Sequence, residues 1–365
     1  MSQPLKTHLR LLFSKSEKDV TTSILPDLLS FTFDDKETNE ADEISLSLKD
    51  ETGKWSSNWQ PNGGEVIQAY IANGTVAKKG NELFCGRFYV DSIRASGGSS
   101  GRQVEIRGVS IPLNKPIRRK VKSRAWEKQT LKEIAQTIAN EHRMKFLFDC
   151  DENASLDRQD QSKESDLKFL SRLCEDAGLS IKVTDEKIVI FDQASYEKKK
   201  PIKTLKLGES NILSWDFESQ QSETYKSVSV SYRDPKQKRK FNEGSQNAKV
   251  DNASNKQWLN AAVMTHTEID PLADENGQEY SVKKRVTSLD EARRLAKATL
   301  RKLNRRHVTG SISVVGDVSL VAGVVVECKG FGKFDGRFFI ESVSHSMSSS
   351  GYVSNLSLVR VNTNY

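Results

Sequence analysis

The chain has 365 residues, 29% of them charged, and a formal net charge of +7. This length allows two or three domains with separate cores, and the composition is that of a globular chain rather than a disordered one. No apolar run approaches the twenty or so residues of a membrane helix, and the N-terminus lacks the blocks of a signal peptide, so we expect folding in a cytoplasm without membrane insertion.

The first segment, residues 1–110, has the pattern of a small antiparallel β-barrel. Short alternating stretches are separated by turns rich in Gly, Asn and Asp, and no helical period interrupts them. The predicted strands are Thr7–Phe13, Leu28–Phe33, Ile44–Leu48, Val66–Ala72, Phe84–Arg94 and Gln103–Arg107.

The next segments change in character. Residues 111–125 are strongly basic and flanked by proline, which predicts a linker. In residues 126–200 the apolar period lengthens to that of helices, and Thr130 with Glu133 forms a capping box. A second helix from about Lys163 ends at Gly178, and short strands complete a predicted α+β insert domain.

The β pattern returns in residues 201–235 and 309–365, which we assign to a second barrel. Residues 236–308 then form an insertion, in which the polar stretch 234–260 predicts a mobile loop or one ordered by a partner. A helix capped by Ser288 and Glu291 follows it. One face of this helix is apolar. The other face is basic, which favours a solvated face over contact with an acidic neighbour. Its basic residues are Arg294, Lys297, Arg301 and Arg305.

The two β segments share an internal repeat. Residues 84–96 and 334–346 are identical at six of thirteen positions, and four more positions are conservative exchanges. Gly101 and Gly351 keep the same offset beyond the following loop. A supersecondary unit used twice sets an architecture, so we predict one β-domain present in two copies.

The residues offer no catalytic constellation. The five histidines are far apart in the chain, and no nucleophile elbow, phosphate loop or dinucleotide fingerprint occurs. The acidic group Asp149, Asp151 and Glu152 leaves a glycosidase pair open but is more typical of a turn, as is the short stretch Gly330–Gly332. We predict no catalytic, cofactor-binding or metal-binding residues.

The cysteines and the basic clusters are further candidate sites. The four cysteines, Cys85, Cys150, Cys174 and Cys328, have neither zinc spacing nor a redox pair, so reduced thiols are expected. Basic clusters at 115–124, 198–203 and 236–240 leave nucleic-acid binding open, but they lack interleaved aromatic residues, which favours solvated loops and protein contacts.

The closing segment, Leu320 to Ser346, resembles that of the phage late-control D family, the baseplate hub proteins of contractile tails, which are related to the base of the type VI spike protein VgrG. Residues 166–183 and 288–306 are similar to the insert and the second-barrel helix of that family. The resemblance spans nearly the whole chain and consists of packing patterns.

The resemblance implies a structural hub, not an enzyme, in which three chains with two tail-tube-like barrels each form a pseudo-sixfold ring. Such a ring joins a hexameric tail tube to a trimeric spike. The implied partners are a homotrimer, a separate trimeric spike or tip protein, the tail tube or its initiator, baseplate wedge proteins and the tape-measure protein, with DNA only in transit. The implied location is the baseplate of a virion or phage-like particle. The alternatives left open are a nucleic-acid-binding module and a tail-associated peptidoglycan hydrolase.

Overall fold

The fold is described from a computed structural model of the chain. The described residues are 7–13, 18–19, 21–38, 41–73, 82–99, 101–111, 116–151, 153, 155–184, 186–220, 224–232, 264–271, 273, 276–286 and 288–361. The predicted loop at 234–260 lies outside them. No helix within these ranges is long and apolar enough to cross a membrane.

The chain divides into two compact units. The first contains Met1–Ser171, Ser180–Glu218 and Thr309–Val361, and the second contains Arg172–Leu179, Ser219–Val308 and Asn362–Tyr365. The described part is mainly β.

Strands account for most of the predicted β segments. Their bounds are β1 Thr7–Phe13, β2 Lys18–Asp19, β3 Leu28–Lys36, β4 Glu43–Lys49, β5 Val66–Asn73, β6 Glu82–Gly98, β7 Gly101–Val109, β8 Val121–Thr130, β9 Lys145–Asp149, β10 Ser155–Ser165, β11 Ser180–Val183, β12 Lys187–Phe191, β13 Lys203–Lys206, β14 Ile212–Ser219, β15 Tyr225–Tyr232, β16 Met264–Ile269, β17 Gln278–Val286, β18 Val308–Val315, β19 Val325–Lys329, β20 Gly336–Ser348 and β21 Gly351–Arg360.

The helices include two that the sequence predicted with their caps. Their bounds are α1 Thr21–Ile24, α2 Pro116–Arg119, α3 Leu131–Glu141, α4 Asp166–Ala177, α5 Gln193–Glu197 and α6 Leu289–Asn304. At α3 both halves of the capping box between Thr130 and Glu133 are formed. At α6 the Ser288 hydroxyl accepts a hydrogen bond from the Glu291 amide. Each cap satisfies amide groups that the first helical turn leaves without partners.

The main sheet corrects the prediction of two closed barrels. Thirteen of the described strands belong to one sheet with the order β14-β18-β21-β20-β3-β4-β7-β6-β5-β1-β2, and β19 and β13 continue from β20. The path is open at β14 and at β2. The two predicted β segments are therefore joined in one continuous sheet rather than closed separately.

Strand β20 makes this junction because it is long and bulged. Its first part pairs with β19, and the register of its pairing with β21 shifts between Ile340 and Ser342. Beyond that bulge, Ser342–Ser348 pairs with Ser30–Lys36 of β3 on the edge that β19 has left. A bulge bends and twists a strand, which allows one strand to serve two neighbours in turn.

The two halves of the sheet have the same strand order. The sequence β3-β4-β7-β6-β5-β1 of the first half is matched by β14-β18-β21-β20-β19-β13 of the second. The outermost strands differ, since β1 runs antiparallel to β5 whereas β13 runs parallel to β19.

Details within the repeated hairpins agree as well. The β6–β7 register shifts between Val90 and Ser92, at the position that corresponds to the β20 bulge. In each copy the strand is entered through a glycine with positive φ, +134° at Gly86 and +138° at Gly336. Phe88 and Phe338, two residues further on, are both fully buried.

The region predicted as linker and insert has more regular structure than expected. Residues of the basic segment form α2 and the start of β8, so the linker prediction is wrong for 116–124. Strand β10 occupies residues that were predicted to begin a helix, and α4 starts only at Asp166. The β8–β10 ribbon is largely polar, so it lacks the alternation by which strands are recognised.

The second unit contains a three-stranded sheet, β16-β15-β17, and helix α6. Its core is formed by Val228 and Val230 of β15 with Ala292, Ala296 and Leu300 of α6. The prediction of only a loop and a helix in this insertion is therefore incomplete, because β16 and β17 are strands.

The equivalent aromatic residues lead to a first prediction. Replacing either Phe88 or Phe338 by Ala is expected to lower the free energy of unfolding by about 3–5 kcal/mol, because each leaves a cavity in a packed interior. Phe84→Ala on the same strand, with its side chain 51% exposed, should cost less than about 1 kcal/mol. Urea denaturation of the three variants measures the difference, and equal losses for Phe84 and Phe88 would contradict it.

Candidate assembly surface

Strand β14 ends the main sheet with exposed apolar side chains. Leu213 is 57% exposed and Trp215 47% exposed. The strand pairs with β18 on one side, and no described strand pairs with its other edge. An edge strand with exposed apolar residues is a template for pairing with another chain, and native proteins normally protect such edges.

An aromatic group fixes the orientation of this strand. The ring of Phe217 lies 5.1 Å from Phe331, 5.4 Å from Phe334 and 5.2 Å from Phe338, measured between centroids. Trp215 packs edge-on against Phe331 at 5.4 Å. These contacts hold β14 on the packed interior by one face, while its free edge stays open.

A fully buried carboxylate of the first unit is that of Asp166 at the start of α4. Its carboxylate receives bonds from Lys122 at 2.5 Å, Arg124 at 3.0 Å and Gln161 at 2.9 Å, and His142 Nε2 lies 2.7 Å away. Burial acts to raise the pKa of Asp166, but these bonds outweigh it and hold the pKa below its ordinary value. The group ties β8 and the end of α3 to α4.

Three side chains of this group are placed like the ligands of a metal ion. Ligand atoms of Glu141, His142 and Asp166 lie within 4.8 Å of one another, a juxtaposition that sequence spacing did not indicate. Lys122 and Arg124 both contact Glu141 and Asp166, however. Two cations already neutralise the carboxylates, so the arrangement suits a structural ion network rather than a divalent cation.

Of the three candidate glycosidase carboxylates, Asp149 has a structural partner. Asp149 accepts a 2.6 Å hydrogen bond from the Tyr196 hydroxyl, and this bond raises the pKa of Tyr196 to about 12. Asp151 is exposed, and Glu152 lies outside the described residues. Asp149 therefore anchors α5.

The four cysteines are free thiols. Burial raises the pKa of Cys150 and of Cys328 to about 12 in each case, and burial also raises that of Cys85. Thiols with such raised pKa values carry little thiolate and are poor nucleophiles and ligands.

Part of the basic charge of the clusters is paired within the chain. Lys122 and Arg124 belong to the Asp166 group, Lys203 bonds Asp317, and Lys199 lies over the Tyr196 ring. The cluster 236–240 lies outside the described residues. On α6 the side chains of Arg294 and Arg301 are half-buried, and Lys297 is exposed. In the first two clusters, carboxylates therefore neutralise Lys122, Arg124 and Lys203 within the chain.

The insert is fastened to the main sheet by a second buried ion pair. Lys182 of β11 contacts Asp35 at 2.9 Å and Asp42 at 3.2 Å. Burial raises the pKa of Asp42 to about 6, against the opposing effect of Lys182. Nearby, the Gln193 amide donates to Glu37 at 2.6 Å.

His345 lies at the junction of the two halves of the sheet. Its side chain is fully buried, its Nε2 is 3.0 Å from the Leu320 carbonyl, and its Nδ1 is 2.8 Å from the Tyr352 hydroxyl. Since a carbonyl only accepts, Nε2 carries the proton and Nδ1 accepts. Burial lowers the pKa of His345 to about 4. The ring also stacks on Phe33 of β3 at 5.9 Å.

Solved structures with this fold are phage tail proteins and a related secretion component. The tail protein from Neisseria meningitidis MC58 is 14% identical and superposes with a TM-score of 0.69, covering 97% of this chain and 96% of that one. The Escherichia coli c3393 protein, a component of the type VI secretion system, is 13% identical with a TM-score of 0.56, covering 99% of this chain and 78% of that one. The chain therefore shares its fold with this tail protein and this secretion component.

The family follows from the sequence comparison. The model of the phage tail baseplate hub (GPD) family matches residues 67–351, and the chain belongs to this family. The probable baseplate hub protein of Escherichia phage 186 is 24% identical over 95% of this chain and 92% of its own length. That of Escherichia phage P2 is 30% identical over 48% of this chain, and the matched part spans less than half, 43%, of the P2 protein. The chain is a baseplate hub of a phage tail, a component of the virion.

The Asp166 network gives a prediction for stability. Asp166→Ala should lower the free energy of unfolding by about 3–5 kcal/mol, because it leaves Lys122 and Arg124 without their buried counter-charge. Glu141→Gln, at the more exposed rim, should cost about 1 kcal/mol. Urea denaturation compares the two variants. A marked rise of the melting temperature with added Zn²⁺ that Asp166→Ala abolishes would instead support a metal site.

The buried histidine gives a prediction for pH. Between pH 6.5 and about 4 the unfolded chain protonates His345 and the folded chain does not, so this residue makes stability fall as the pH is lowered. The loss of unfolding free energy caused by His345 is at most about 3 kcal/mol, and His345→Gln should remove this pH-dependent contribution. Denaturation at pH 7 and pH 4.5 measures it, and an unchanged pH slope in the variant would contradict it.

Asp42 serves as a control of opposite sign. Its folded carboxyl keeps its proton up to about pH 6, whereas the unfolded one releases it near 3.8. Stability is therefore lost through Asp42 as the pH rises between these values. Asp42→Asn should shift the pH slope in the direction opposite to His345→Gln.

Proposed function

We propose that three copies of this chain form a ring with two similar sheet modules per chain, which joins a sixfold tail tube to a threefold spike. The first module comprises residues 1–110, and the second comprises 201–235 and 309–365. Residues 126–200 and 236–308 are inserts. Six similar modules in a threefold ring supply near-sixfold symmetry on one side and true threefold symmetry on the other.

The observation that carries this proposal is the repeated strand order on either side of the β20–β3 junction. The agreement extends to hydrogen bonds: Gly64 N donates to Val90 O at 2.9 Å, and Gly323 N donates to Ile340 O at 2.9 Å. Such agreement supports a duplicated module, which a symmetry adaptor requires. The two modules differ most in their inserts, and the proposed ring does not require the inserts to be alike.

The role in the ring is structural and needs no catalysis. The buried carboxylates and histidines of the first unit are engaged by Lys122, Arg124, Lys182 and backbone groups, an arrangement that suits stability rather than proton transfer. The expected partners are the tail tube or its initiator, a trimeric spike or tip protein, wedge proteins and the tape-measure protein, with DNA passing through the ring.

Light scattering coupled to size-exclusion chromatography tests the ring. The expected mass at the highest protein concentrations is about 123 kDa, three times the 41.0 kDa chain. The trimer should persist at high salt if edge pairing and apolar burial hold it together, since those interactions are screened little. A stable dimer, or a monomer at every concentration, would contradict the proposal.

A further inference from the structure

Among the described strands, two edges of the main sheet are unpaired, and they correspond to the two sides of the β20–β3 junction. In the second half, Ser342–Ser348 of β20 pairs with β3. The equivalent stretch of the first half is residues 92–98 of β6, which pairs with β7 on one side, while no described strand pairs with its other edge. The equivalent of β3 is β14, whose outer edge is also open.

On both sides of the junction, residues of the paired strand are more buried than their counterparts on the unpaired strand. Val343 and His345 are buried where β20 pairs with β3, whereas their counterparts on β6 are half-buried, at Ile93, or exposed, at Ala95. On the other side of the junction, Phe31 of β3 is fully buried, whereas its counterpart Trp215 is 47% exposed. Each open edge therefore lacks the neighbour that its equivalent has within the chain.

From this we infer that β6 of one protomer pairs antiparallel with β14 of the next, which repeats between chains the β20–β3 junction within the chain. The inference rests on the proposed ring and names its interface. The contact is heterologous, one surface meeting a different one, so copies add head to tail and close into a ring when the rotation allows it.

The register of this interface follows from the repeat. Phe217 contacts Phe338 as Phe33 contacts Phe88, with centroids 5.2 Å and 5.9 Å apart, so β14 aligns with β3 through this pair of residues. The β20–β3 partners then transfer to the open edges. The resulting cross-chain pairs are Arg94 with Glu218, Ala95 with Phe217, Ser96 with Asp216 and Gly97 with Trp215.

These pairs are complementary in charge and size. Arg94 meets an opposite charge in Glu218, and the large Trp215 meets a glycine. Opposite charges facing each other across antiparallel strands stabilise the pairing, and like charges oppose it. The register follows from the repeat alone, and the complementarity of these pairs makes a second copy of the chain the favoured occupant of both edges.

Cysteine cross-linking tests the strand pair directly. In the full chain, with the half-buried Cys150 replaced by Ser, the double variant Ser96→Cys and Asp216→Cys should form disulfides between protomers under mild oxidation. Non-reducing gels should then show a covalent trimer. The matched control, Ser96→Cys with Ser311→Cys, places the second thiol one strand further from the edge, beyond disulfide reach, and should give none.

Charge exchange tests the register without any new bond. Arg94→Glu or Glu218→Arg alone should weaken trimer formation about tenfold, and the two together should restore most of the loss. Arg107→Glu is the control, because its partner Glu43, at 3.0 Å, belongs to the same chain. Melting temperatures of all variants identify any that fail to fold.

The outcomes separate this interface from the ring itself. A trimer that forms without the cross-link, and whose stability ignores the charge exchange, overturns the β6–β14 pairing and leaves the ring intact. Absence of any trimer in the unmodified chain counts against both. Cross-links at Ser311 in place of Asp216 would show that a different strand meets β6.

Discussion

The structure depends on one antiparallel pairing, that of the second half of β20 with β3. It brings together strands about 300 residues apart in the chain and turns two modules into one sheet. The residues around it are buried and their polar atoms are bonded: His345 reaches Leu320 and Tyr352, and Asp35 receives the Ala322 amide at 2.8 Å and Lys182 at 2.9 Å. A junction built in this way resists bending, because every displaced polar group would be left without a partner in a dry interior.

The same junction explains why the molecule has open edges. A chain with two such modules in tandem makes the module-to-module contact once internally, between β20 and β3. The counterparts of these two strands, β6 in the first module and β14 in the second, are left without that contact among the described strands. In the proposed ring each of these contacts would be satisfied, and burial of exposed groups such as Trp215 and Ala95 would add to its stability. The inserts lie outside this scheme, and the Asp166 and Lys182 networks stabilise the insert in the first unit.

Sequence resemblance and fold agree here although identities to the solved structures are low. The Neisseria tail protein and the type VI secretion component are only 13–14% identical to this chain, so their likeness shows the shared fold. In this chain the strands alternate in burial, Gly86 and Gly336 have positive φ, and β20 is bulged between Ile340 and Ser342. These backbone features control strand direction and pairing.

Local signals in the sequence determined the strands of both modules, the capping box of α3, the N-cap of α6, and the repeat at residues 84–96 and 334–346. Each depends on neighbours within a few residues, where side-chain period and backbone preference decide. Tertiary structure alone decided that the modules share one open sheet, that polar β10 pairs with β8, and that Glu141, His142 and Asp166 meet two cations. Those choices depend on partners distant in the chain, and the pattern within a strand tells which face is buried but not which edge it joins.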